Sequence, residues 1–167
     1  PMNMRVNAGL GMARITERVH QIAMSHQPNA VGAVGQVKVF PNSRNVIPGR
    51  VKFSIDLRNN TDAGVEAMAD EIKALAQSLQ ASTGLRIELT LVSSFPAQPF
   101  HPACVEAVSA AAAHLGYSQM PVVSGAGHDA IYTARLAPSG MIFIPCKDGI
   151  SHNEIEDAKP EHIAAGC

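Results

Sequence analysis

The sequence predicts a mixed α/β protein in two parts, an antiparallel α+β unit at residues 1–94 and a piece of a larger α/β unit at residues 95–167. Three observations support this prediction. The hydrophobic pattern of the first part gives the order helix, strand, strand, helix, strand, which is a ferredoxin-like arrangement without its opening strand. The proline-rich residues 95–102 then mark a boundary. Beyond them, short apolar runs alternate with helical patterns, but too few residues remain for a complete α/β domain.

The elements of the first part follow from periodicity and turn residues. Apolar residues recur at helical spacing over residues 5–26, which predicts an amphipathic helix. Residues 33–40 and 50–57 alternate in character and predict an antiparallel pair of strands joined by a loop rich in turn residues. A second helix is predicted at residues 65–80, followed by Gly84 as its terminator. Residues 85–92 alternate again and predict a third strand.

The second part has shorter elements. Helices are predicted at residues 103–115 and 129–136, and strands at residues 120–123 and 140–145. A last helix is expected to begin at Pro160, because proline suits the first turn of a helix.

Composition excludes several classes of function. Thirteen basic and fourteen acidic side chains give a net charge of -1 without a basic cluster, so we expect no nucleic-acid or membrane partner. Three widely spaced cysteines indicate neither a disulfide framework nor a thiolate zinc site, and a reducing cytoplasm is the expected location. The chain opens without an initiator methionine, so we expect it to be the C-terminal part of a longer protein.

Candidate binding residues occur first around the predicted strand pair. Asn45 lies in the segment Pro41-Asn42-Ser43-Arg44-Asn45-Val46-Ile47-Pro48-Gly49, and Arg58 ends the second strand. An amide and a guanidinium displayed by adjacent strands could together hold a carboxylate, the guanidinium bidentately. The alternative interpretation is a turn asparagine and a surface arginine.

Two further loops carry polar residues next to predicted strand ends. In Ser124-Gly125-Ala126-Gly127-His128-Asp129-Ala130, small residues would let the backbone approach a ligand, although His128 and Asp129 could simply cap the following helix. In Lys147-Asp148-Gly149-Ile150-Ser151-His152-Asn153-Glu154, His152 is a candidate metal ligand that Glu154 or Glu156 could orient. The alternative is a solvated loop histidine.

Taken in order, these three loop motifs resemble those of the N-carbamoyl-L-amino-acid hydrolase, allantoate amidohydrolase and β-ureidopropionase family. The resemblance covers essentially the whole chain. It implies an α/β catalytic domain with two divalent metal ions per intact subunit and a ferredoxin-like lid that also forms a homodimer. Residues 1–94 would be most of this lid, and residues 95–167 would be the end of the catalytic domain.

The resemblance also implies roles for single residues. His152 matches a metal-ligand histidine, Asn45 and Arg58 match the lid residues that hold the substrate carboxylate, and Gly127, with His128 beside it, matches a substrate contact. No catalytic residue is expected in this chain, because the general-base glutamate and the other metal ligands would lie upstream. The metal would be zinc or manganese, with cobalt and nickel also suited to such ligands.

The expected reaction is cleavage of the carbamoyl C–N bond of an N-carbamoyl amino acid or an allantoate-like ureido compound by metal-activated water. The chain alone is expected to be inactive. Two alternatives stay open. One is an amidase of the aminoacylase or aminopeptidase type with the same metal site, and the other is a non-catalytic module for dimerisation or ligand binding.

Overall fold

The computed structural model describes every residue from Pro1 to Cys167. It divides into two compact units, Pro1–Ala97 and Gln98–Cys167. The division therefore falls after residue 97, whereas the predicted boundary falls after residue 94. The interpretation of the two units as a lid and a part of a catalytic domain stays a prediction.

The first unit contains two helices and a β-hairpin. Helix α1 spans Ala8–Ser25 and helix α2 spans Asp62–Thr83, while strands β1 and β2 span Val31–Phe40 and Arg50–Arg58. The strands are antiparallel, with Val31 opposite Arg58 at one end and Phe40 opposite Arg50 at the other. All four of these elements were predicted, and the structure confirms them.

Local side-chain chemistry explains where the two helices begin and end. The Asn7 side chain accepts a hydrogen bond from the Leu10 amide at the start of α1, and Thr61 accepts one from the Gly64 amide at the start of α2. These bonds satisfy amide groups that have no partner inside a helix. Gly84 ends α2 in the left-handed conformation with φ +72°, a backbone geometry that glycine adopts without steric cost.

Both helices pack against one face of the hairpin. The most deeply buried side chains are Ile22 and Val19 of α1 and Met68 of α2. The inward-facing residues of the strands pack against this cluster, and they include Val34, Phe53, Ile55 and Leu57. Because side chains alternate along a strand, the intervening residues of β2 are exposed on the opposite face, and these are Lys52, Ser54, Asp56 and Arg58.

The third strand predicted at residues 85–92 is wrong, because the structure forms no strand there. Leu85 and Ile87 are half-buried, and Ile87 packs against the core of the unit. The Ile87 amide donates to the Gln80 side chain rather than to a neighbouring strand. In a ferredoxin-like sheet the opening strand lies between the second strand of the hairpin and the last strand, and pairs with both. None of the described residues forms that opening strand. The segment therefore has the burial pattern expected for a strand without a partner to pair with.

The second unit is made of short helices and extended segments. Helices α3, α4 and α5 span Pro102–His114, Ala130–Ala134 and Pro160–Gly166. They confirm the three predicted helices. The strands predicted at residues 120–123 and 140–145 are wrong, because neither segment has a hydrogen-bonded partner strand. Their apolar side chains, including Val123 and Phe143, are exposed, which fits a piece of a larger sheet. No helix in the chain is long and apolar enough to cross a membrane.

Candidate functional sites in the two units

Arg58 lies at the end of β2 on the exposed face of the hairpin. Its Nε donates to Asp56 Oδ1 at 2.9 Å, and its Nη2 donates to Asp56 Oδ2 at 2.8 Å. This bidentate pair lowers the pKa of the Asp56 carboxyl and raises the pKa of the Arg58 guanidinium, chiefly through the hydrogen bonds between them. About half of each side chain is exposed. The structure thus presents a fully ionised guanidinium in a fixed orientation.

Asn45 lies in the loop that joins the two strands. The Asn45 Oδ1 accepts a hydrogen bond from the Ser43 hydroxyl at 2.8 Å, and the Val46 amide donates to the Ser43 carbonyl. This loop is at the end of the hairpin where Phe40 faces Arg50, whereas Arg58 is at the other end. At ~3.3 Å per residue, the eight steps from residue 50 to residue 58 span about 26 Å.

The hairpin places the loop that carries Asn45 at one end and the free end of β2, which carries Arg58, at the other. That the two residues together hold the substrate carboxylate stays a prediction.

The small-residue turn before α4 is exposed. A Cβ atom added to Gly127 would meet no atom within 4 Å, so the backbone there is open to a ligand. The His128 Nδ1 accepts a hydrogen bond from the Ala130 amide at 3.0 Å. This bond holds the His128 ring beside the start of α4, where the flanking residue Asp129 makes no capping bond of its own. The role of His128 in substrate binding stays a prediction. In the neutral ring, an accepting Nδ1 places the proton on Nε2, which then is a donor.

His152 lies in a loop held by its own hydrogen bonds. Its backbone has φ +57°, a left-handed conformation that is uncommon for a residue other than glycine. The Glu156 carboxylate accepts from the His152 amide at 2.8 Å, and the Ser151 hydroxyl lies 3.2 Å from His152 Nδ1. Of the two carboxylates expected to orient this histidine, Glu156 does so through the backbone, whereas no hydrogen bond joins His152 to Glu154.

The chain by itself does not form a metal centre. No three His, Cys, Asp or Glu side chains lie close enough together to hold an ion. The chemistry of His152 fits one ligand position, since its side chain is exposed and the Ser151 hydroxyl lies against Nδ1, so that Nε2 is the ring nitrogen that would face a metal ion. The donors present therefore fit one position of a metal site and not a complete one.

The structure brings the predicted residues together only in part. Gly127 and His128 share one turn, whereas Asn45 and Arg58 occupy opposite ends of the hairpin. A cavity of about 300 Å³ in the first unit is lined by residues of the α1 start and the α2 end and includes none of these residues.

Two partners of the predicted residues were not predicted themselves: Asp56, which pairs with Arg58, and Ser151, which lies against the His152 ring. Glu156 was a predicted candidate, but its contact with the backbone amide of His152 was not. The pairing of Asp56 with Arg58 could have been predicted from the sequence, because residues two apart on a strand lie on the same face.

The chain thus consists of a helix–strand–strand–helix unit followed by a unit of short helices and extended segments, and it carries the three loop motifs in the order described above. A sequence profile of the peptidase family M20/M25/M40 matches residues 6–167, so the chain belongs to this family. Enzymes of the family that act as amidohydrolases generally use divalent metal ions.

Individual relatives agree with this assignment. The chain is 50% identical over 167 residues to the N-carbamoyl-L-amino-acid amidohydrolase of Rhizobium meliloti, covering all of this chain and 40% of that protein. It is 30% identical to the ureidoglycolate hydrolase of Arabidopsis thaliana, covering 99% of this chain and 35% of that protein.

Among solved structures, the chain matches an amidase of the hydantoinase/carbamoylase family from Burkholderia multivorans with a TM-score of 0.94 and 46% identity. That match covers 99% of this chain and 40% of the solved chain. The chain thus spans well under half the length of these relatives.

Proposed function

We propose that the protein containing this chain is a hydrolase that cleaves the carbamoyl C–N bond of an N-carbamoyl amino acid or an allantoate-like compound. The single observation that carries the proposal is the 50% identity, over the full chain, to a protein named N-carbamoyl-L-amino-acid amidohydrolase. All three loop motifs with candidate site residues lie inside the region of that identity. The chain alone would be inactive, since it forms no complete metal site.

Arg58 is proposed to bind the carboxylate of the substrate. The guanidinium is about half exposed, and the pairing with Asp56 keeps it charged and oriented. A planar guanidinium can bind a carboxylate through two parallel hydrogen bonds, which fixes the position of the substrate as well as holding it. Removing this group should therefore weaken binding of any substrate that carries a carboxylate.

Asn45 is proposed to contact a substrate held by a different copy of the chain. Within one chain Asn45 lies in the loop at one end of the hairpin, and Arg58 lies at the far end of β2, a strand about 26 Å long by the rise per residue. A homodimer formed through the first unit would allow the loop of one copy to complete the site of the other. This arrangement reconciles the two predicted substrate contacts with their separation along the hairpin.

His152 is proposed as one ligand of a two-metal centre whose other ligands, together with the general-base glutamate, come from polypeptide outside residues 1–167. Ions bound there would lower the pKa of a coordinated water and so supply the attacking hydroxide. The part of His152 in this is to present Nε2 while Ser151 holds Nδ1. The exposed Gly127 backbone and the Nε2 proton of His128 are proposed to meet the substrate.

In the proposed reaction, one water molecule adds to the carbamoyl carbon, one C–N bond breaks as its nitrogen takes a proton from that water, and the carbamic acid that is left loses carbon dioxide as its own nitrogen takes the remaining proton. One N-carbamoyl amino acid and one water therefore give ammonia, carbon dioxide and the free amino acid. The test is to assay the full-length protein, with added zinc or manganese, on an N-carbamoyl amino acid and on the matching N-acetyl amino acid and dipeptide. Release of ammonia from the carbamoyl compound in preference to cleavage of the other two is expected. Preference for the N-acetyl compound or the dipeptide would instead identify an aminoacylase or aminopeptidase, and no cleavage of any of the three would identify a binding module.

A further inference from the structure

We propose that Asp56 is a positioning residue for the substrate carboxylate, acting through Arg58. The inference rests on the proposed function, because it concerns the same carboxylate-binding guanidinium. It goes beyond that function in assigning a role to a side chain that itself carries the same charge as the substrate group.

The geometry of the pair carries the proposal. Asp56 and Arg58 are two residues apart on β2, so both side chains leave the same face of the strand. The two Asp56 oxygens accept from two different nitrogens of Arg58, at 2.9 Å and 2.8 Å. Because the guanidinium is planar, two contacts from one carboxylate fix the plane of the group and the direction in which Nη1 faces.

The surroundings of the pair explain why this orientation is useful to a ligand. Across the hairpin, Ala33 lies opposite Asp56 and Val31 lies opposite Arg58. Both side chains are uncharged, so neither residue directly opposite the pair supplies a competing carboxylate. About half of the Arg58 side chain remains exposed. A second carboxylate can therefore approach a guanidinium whose orientation is already fixed.

An isolated pair of exposed charges contributes little to folding stability. The ion pair between Asp56 and Arg58 therefore contributes little to the stability of the fold. A flexible arginine side chain loses rotamer entropy when it binds a ligand, and the pair with Asp56 has already removed part of this loss.

The test compares Asp56→Asn, Arg58→Ala and the double variant in the full-length enzyme, with Asp70→Asn as the matched control. Asp70 is a suitable control because it forms an exposed ion pair with Lys73 on α2, away from the strand face. Steady-state kcat and KM are measured for an N-carbamoyl amino acid, and the carboxamide analogue of that substrate is measured as an inhibitor. Thermal unfolding of each variant checks that the fold is retained.

Asp56→Asn is expected to raise KM for the carboxylate substrate about tenfold with little change in kcat, the size of ordinary coupling between contacting charged groups. Binding of the carboxamide analogue should not change, and Asp56→Asn should add nothing in the Arg58→Ala background. An unchanged or lower KM for Asp56→Asn, beside a raised KM for Arg58→Ala, would overturn the positioning role and leave the proposed function intact. Equal weakening of both ligands would also overturn it. An unchanged KM for Arg58→Ala would reject the carboxylate-binding role of Arg58 itself and the positioning role with it.

Discussion

Mixed dimers offer a direct test of whether Asn45 and Arg58 serve the same substrate from different subunits. The two residues lie at opposite ends of the β1–β2 hairpin, Asn45 in its loop and Arg58 at the free end of β2, and we propose that the two contacts to one substrate come from different copies. The perturbation is a pair of single variants of the full-length protein, Asn45→Ala and Arg58→Ala. Each variant alone should lose most of its activity at low substrate concentration, because every site then lacks one contact.

The magnitude of the recovery follows from counting sites. When the two variants are mixed, dissociated and reassembled at random, about half of the dimers contain one copy of each. In such a mixed dimer one site receives Arg58 from the first copy and Asn45 from the second, so that site is intact, while the other site lacks both contacts. About a quarter of all sites should therefore recover full kcat/KM by this symmetry argument.

The assay is ammonia release from an N-carbamoyl amino acid at low substrate concentration, before and after reassembly. Copies carrying two different affinity tags allow the mixed dimers to be purified, and their activity per dimer should approach half that of the wild type. A matched mixture of Asn45→Ala with itself controls for the reassembly procedure. No recovery in purified mixed dimers would refute the shared site. If each site were built from one chain, both sites of a mixed dimer would lack one of the two contacts, and no site would be intact.

Two further predictions concern the core and the metal-ligand loop. Ile22→Ala should lower the free energy of unfolding by about 2–5 kcal/mol, because this side chain is 0% exposed and its loss leaves a cavity. Chemical denaturation of the full-length protein measures this change. The control Met24→Ala, on the exposed side of the same helix, should change the free energy of unfolding little, and equal effects of the two variants would contradict the core assignment. Glu156→Ala should weaken metal binding to the full-length protein by about 10- to 100-fold, the usual loss for a side chain that orients a ligand. Calorimetric titration with zinc measures this, Glu154→Ala is the control, and unchanged affinity for Glu156→Ala would show that the loop holds His152 without it.

The helices could be predicted from the sequence because their signals are local. Capping residues, helical spacing of apolar side chains and the terminating Gly84 all act within a few residues of one another. Pro102 and Pro160 likewise lie in the first turns of α3 and α5. None of these signals depends on a distant part of the polypeptide.

The strand predictions were wrong where the described residues include no partner strand. Alternation along residues 85–92 records which side chains face the core, and Ile87 does pack there. A strand also needs neighbouring amide and carbonyl groups, and the sequence of the segment carries no information about whether these are present. The prediction of the hairpin was correct because its two strands follow one another along the chain and are joined by a single loop.

The site was predicted by residue type but not by arrangement. The left-handed backbone at His152 depends on a carboxylate four residues later, and such a conformation has no signature in a polar loop. The separation of Asn45 from Arg58 is different, because the predicted hairpin already implied it. A residue in the loop of a hairpin and a residue at the free end of its second strand are at opposite ends of the sheet. The family resemblance assigns both residues to one substrate, and the proposed homodimer would let the loop of one copy approach the strand end of the other. The position of the two residues at opposite ends of the hairpin is the observation that supports this proposal.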